Sequence, residues 1–72
     1  MKTEVLTTNI LSEEFETPSC NADLQMIIEF ALIEYEEKPL FRKEKREFKN
    51  KLNELIEIYN DRRQMKIYNL LK

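Results

Sequence analysis

The sequence predicts an all-α fold, a helical hairpin or three-helix domain behind an N-terminal arm, and three observations carry that reading. Residues 22–38 repeat apolar side chains at helical spacing, and residues 40–60 do so again, with Pro39 between them. None of the 72 residues is glycine. Glycine weakens helix interiors and supplies the positive φ angles of tight hairpin turns, so its absence favours helices over strands.

Residues 1–18 form the arm, expected to be partly ordered or extended, ahead of a helical domain over residues 19–72. Val5, Leu6, Ile10, Leu11 and Phe15 give the arm apolar content, while Thr3, Thr7, Thr8 and Thr17 disfavour a stable helix. Val5-Leu6 and Ile10-Leu11 suit a short strand or a segment laid on the helices. Ser12 followed by Glu13 and Glu14 suits the start of one helical turn, which Pro18 ends by restricting Thr17.

The first long helix is expected over about residues 21–38, capped by Ser19 or Asn21, with Asp23 in its first turn where the helix dipole favours negative charge. Leu24, Ile27, Ile28, Ala31, Leu32 and Tyr35 line one face of it. Met26, Phe30 and Ile33 add a second stripe, so this helix needs apolar partners on more than one side. Glu34, Glu36 and Glu37 crowd its C-terminal end, where negative charge is unfavourable. That cluster calls for a neutralising Lys38 or Arg42, or for a cationic partner.

Pro39 reads as a stop for the first helix and as the first position of the second, over about residues 40–60. Phe48, Leu52, Leu55 and Tyr59 form its stripe, and residues 42–46 hold no apolar side chain. Asn60-Asp61 reads as a break, with Asp61 and Gln64 as a capping pair for a third helix over residues 62–71. The competing reading is one helix over residues 40–72, because neither proline nor glycine enforces a stop.

Charge is divided along the chain. Residues 1–37 hold one basic and nine acidic side chains, whereas residues 38–72 hold eleven basic and five acidic, within a total of −2. Opposite halves of this kind suit packing against each other, within one chain or between two copies. The basic half also supplies a nucleic-acid reading. Arg42, Lys43 and Arg46, with Arg62, Arg63 and Lys66 near the start of a third helix, are the residue types that contact phosphates and base edges.

Catalysis finds little support. There is no histidine to serve as a base near neutral pH, and no phosphate-binding glycine loop. One cysteine, Cys20, forms neither an internal disulfide nor a zinc site, and it reads as an ordinary residue of a cap region. No catalytic residue, cofactor, metal site or small-molecule substrate is expected. A lone cysteine without a signal-peptide pattern fits the cytoplasm, and charged residues interrupt every apolar run, so no membrane span is expected.

Residues 55–71, LIEIYNDRRQMKIYNLL, resemble the IDEAL domain, a short helical element of small Bacillus-type proteins. Ile56 and Glu57 stand for that family's opening Ile-Asp, Asp61 and Arg63 for its later Asp and Arg, and Tyr68 for its aromatic residue. Tyr59-Asn60 replace its Ala-Leu, and Gln64 its second Asp. A second register, Ile28-Glu29-Phe30-Ala31-Leu32, also fits part of the pattern. What the resemblance implies is a partner-binding module.

The resulting expectation is a non-enzymatic adaptor or regulator, a homodimer, a binder of another protein or both. Met26, Phe30, Ile33, Glu34 and Glu37 are its candidate contact residues. The alternative is a DNA-binding regulator that uses the basic half.

Overall fold

A computed structural model describes residues 10–37 and 41–72, in which two long helices, α1 (Asn21–Glu37) and α2 (Arg42–Arg63), pack against each other. Their order of contact makes them an antiparallel hairpin. Tyr35 lies 6.1 Å from the Phe48 ring, the Tyr59 hydroxyl donates to Gln25, and Arg62 donates to Asn21. The roles expected of Val5-Leu6, Lys38 and Pro39 fall outside the described residues.

The core follows the predicted stripes. Leu24, Ile28 and Ala31 of α1 meet Phe48, Leu52, Leu55, Ile56 and Tyr59 of α2, and all are buried. Ile27, Leu32 and Tyr35 close its edges half-buried. Each fully buried large side chain contributes roughly 1.5–3 kcal/mol, and that burial holds two otherwise marginal helices together. Lys45 sits 5.2 Å above the Tyr35 ring, so one of the basic residues of the first turns of α2 covers apolar surface.

Residues 10–18 contribute more than the sequence suggests. Ile10 is buried in the same core, and it and Leu11 are helical rather than extended. A single turn follows, in which Phe15 N–H reaches the Ser12 carbonyl at 3.2 Å and the Ser12 hydroxyl accepts from Glu14 N–H. Phe15 is half-buried, with Lys51 5.7 Å from its ring.

α1 begins at Asn21 as expected, and the boundaries depart from expectation at both ends of α2. α1 opens with Leu24 N–H on the Cys20 carbonyl at 3.0 Å, and the Asn21 oxygen is spent on Arg62. The first helical residue of α2 is Arg42, behind an extended Phe41 (φ −63°, ψ 154°) that makes no side-chain cap bond. The largest correction is at the C-terminus. No break occurs at Asn60-Asp61, and no third helix forms over residues 62–71. Nor does α2 continue to Lys72.

α2 instead ends in a Schellman arrangement. Gln64 is left-handed (φ 56°, ψ 36°), its N–H reaches the Asp61 carbonyl at 3.1 Å, and Met65 N–H reaches the Asn60 carbonyl at 3.2 Å. A side chain with a Cβ in this conformation costs about 1 kcal/mol. The chain then turns back, and residues 65–72 run along α2 without helical structure. The reason is tertiary. Arg62 already lies level with Asn21 at the start of α1, so a helix continued past Arg63 would leave the body and carry Tyr68 and Leu71 into water. Folded back, both side chains are half-buried against the core.

Candidate functional site

The outer face of α1 is the first distinctive surface. At about 100° per residue, Met26, Phe30 and Ile33 fall roughly opposite the stripe that enters the core. They are 50 %, 53 % and 50 % exposed. Glu37 lies exposed on the same side, and Glu34 is half-buried at its margin. The five candidate contact residues thus belong to one face and its edge. α1 carries five acids, Asp23, Glu29, Glu34, Glu36 and Glu37, and no basic residue. The result is an apolar ridge in a negative field.

The six basic candidates are not brought together. Arg42, Lys43 and Arg46 are exposed on the first turns of α2, while Arg62 and Arg63 end it. Arg62 lies sixteen positions beyond Arg46 on the helix, about 24 Å along the axis. Arg62 has a structural task, since one guanidinium nitrogen donates to the Pro18 carbonyl at 2.8 Å, the Ser19 carbonyl at 3.4 Å and Asn21 Oδ1 at 3.3 Å. It ties the chain before α1 to the end of α2. Lys66 lies exposed in the returning segment, so the helix that would have presented it to a groove is not formed.

The second surface, which the sequence reading missed, is the groove that holds the returning segment. Asn60 Oδ1 accepts from the N–H groups of Ile67 (2.9 Å) and Tyr68 (3.2 Å), and its Nδ2 donates to the Tyr68 carbonyl at 2.9 Å. Asn53 repeats the pattern on Leu71, accepting from its N–H at 2.7 Å and donating to its carbonyl at 3.0 Å. The Tyr68 hydroxyl donates to Glu29 Oε2 at 2.7 Å, the short distance of a bond to a charged acceptor. Gln25 Nε2 donates to that same oxygen at 3.3 Å, and Gln25 Oε1 accepts from the Tyr59 hydroxyl at 3.2 Å. Burial first, and then the bond to Glu29, push the Tyr68 hydroxyl up to about 12. Its ring lies 5.7 Å from that of Tyr59.

One signal in the sequence could have found this groove. Asparagine is a poor residue for a helix interior, and Asn53 and Asn60 recur seven apart on one face of α2.

Elsewhere, Cys20 is exposed. Among the described residues no group of three Cys, Asp or Glu side chains could hold a metal ion, and no helix is long and apolar enough to cross a membrane. Comparisons with protein families, with curated proteins and with solved structures found no match to this chain.

Proposed function

We propose that this chain is a non-enzymatic adaptor or regulatory protein that binds another protein through the outer face of α1. One observation carries the reading. Three large apolar side chains, Met26, Phe30 and Ile33, stand half-exposed at i, i+4 and i+7 on a helix with five acids and no base. Spacing of this kind receives an amphipathic helix, and the surrounding charge selects one with Lys or Arg beside its apolar stripe.

The same charge argues against pairing two α1 outer faces across a two-fold axis, because acid would meet acid. The solvent face of α2 offers no match either, since its exposed residues, Lys43, Arg46, Glu47, Asn50, Glu54, Glu57 and Asp61, include no apolar side chain to meet the ridge. A heterologous basic helix is the best fit.

Selection from a displayed library of helical peptides tests this. Peptides enriched on the full chain should carry apolar residues at i, i+4 and i+7 between basic ones. They should lose binding to a Phe30→Ser/Ile33→Ser variant of unchanged helicity. Enriched peptides that bind that variant equally well refute the assignment.

A further inference from the structure

We propose that the groove beneath residues 67–71 is a binding site for a non-helical peptide, and that a second copy of this chain supplies the peptide by exchanging its own C-terminal segment. This site is separate from the outer face of α1, and neither proposal depends on the other.

The groove reads backbone. Asn60 both accepts from and donates to the main chain of Tyr68, and Asn53 does the same to Leu71. A side-chain amide paired in this way satisfies both main-chain groups of one residue that has no helix or strand partner for them. The spacing fits a non-helical ligand: seven residues of helix advance about 10.5 Å, and the three from Tyr68 to Leu71 reach at most about 10 Å, with the chain bent at Tyr68. Side chains add selectivity. A tyrosine hydroxyl reaches Glu29, and a leucine three residues later packs on the core. The ligand class is therefore a non-helical segment of the Tyr-x-x-Leu type.

This chain's own segment suits the groove by charge as well. Residues 62–72 carry Arg62, Arg63, Lys66 and Lys72 and no acid, while α1, which supplies Glu29, carries no base. Little holds the segment to its own helix beyond the groove contacts. The reversal rests on a left-handed Gln64, and both Met65 and Lys66 are exposed. A shallow, open depression lies between the reversal and α2, lined by Glu57, Asn60, Tyr68 and Leu70 among others.

If Gln64 turns right-handed, α2 gains a turn and residues 67–72 project toward a second copy's groove, while the second copy returns its own. Every clamp bond is kept, and the strained residue is relieved. Association entropy and the approach of two basic α2 ends, each with Arg62 and Arg63, oppose the exchange, so it is driven by concentration.

Deleting Met65 and Lys66 from the full chain removes the reversal but keeps both clamps and the residues they hold. By sedimentation equilibrium the deletion variant should weigh twice its own chain mass at concentrations where the unaltered protein is a monomer of 8.8 kDa. Adding Asn53→Ala and Asn60→Ala should return it to a monomer. A deletion variant that is helical yet monomeric, or a dimer indifferent to the two asparagines, overturns the proposal.

A second measurement stands if the deletion fails to fold. In the full-length Tyr68→Ala/Leu71→Ala variant the segment loses its anchors and the clamps remain. A synthetic peptide of residues 65–72 should shift the Asn53 and Asn60 side-chain amide resonances. It should bind roughly tenfold or more tightly than it binds the same variant lacking both asparagines. Equal binding to the two refutes the site.

Discussion

Replacing Asn60 by alanine removes three hydrogen bonds between α2 and the returning segment: from Ile67 N–H, from Tyr68 N–H and to the Tyr68 carbonyl. Each is worth about 0.5–1.5 kcal/mol net, but the freed groups can reach water if the segment lifts, which limits the loss to about 2–3 kcal/mol. Alanine recovers roughly 0.5 kcal/mol through its better helix propensity. The expected net destabilisation is about 2 kcal/mol, a large part of the roughly 4–10 kcal/mol available to a chain of this length.

Asn50→Ala supplies the control, because Asn50 lies exposed on the same helix. It should be neutral or slightly stabilising. Urea unfolding followed by far-ultraviolet circular dichroism measures both variants. Hydrogen exchange should show protection lost at Tyr68 and Leu71 in Asn60→Ala and kept in Asn50→Ala. If the two variants unfold at the same urea concentration, Asn60 does not anchor the segment and the reasoning fails.

Gln64→Gly should stabilise the protein by roughly 0.5–1 kcal/mol, because glycine adopts the left-handed cap freely; a lower melting temperature contradicts the role given to that residue. Phe48→Ala empties the centre of the core and should cost about 3–5 kcal/mol, enough to abolish cooperative thermal unfolding. The Tyr68 hydroxyl sits at about 12 in the folded chain, above its ordinary value of 10, so folding favours its protonated form. Its contribution to stability is intact below about pH 10 and is lost as pH rises through about 12. Absorbance titration of Tyr68→Phe should lack the component that ionises near pH 12, and a titration unchanged from the parent would contradict the Tyr68–Glu29 contact. Phe30→Ser/Ile33→Ser, on the exposed face of α1, should leave the melting temperature nearly unchanged, as calorimetry can check.

The apolar ridge on α1 was legible because exposure there is a local matter. Once Leu24, Ile28 and Ala31 turn inward, helical geometry fixes Met26, Phe30 and Ile33 on the far side. The groove was not legible in the same way. Met65, Tyr68 and Leu71 follow helical spacing, and nothing between Asn60 and Lys72 forbids a helix. Asn60-Asp61 reads as a break in the sequence, with Asp61 and Gln64 as a capping pair. The Asn60 side chain instead satisfies the backbone of residues seven and eight positions later, a pairing that no local pattern encodes.

Periodicity, the missing glycine and the division of charge determine by themselves that the chain is helical, which faces of α1 and α2 meet, and that α1 is acidic throughout. Those properties depend on residues a few positions apart, where 3.6-residue geometry governs. Only the tertiary structure decided where α2 stops, that residues 65–72 turn back, and that Arg62 joins the two helix ends. Each of those outcomes turns on whether a surface exists to receive the segment. Past Arg63 there is no α1 left to pack against, while two asparagines and the edge of the core wait behind.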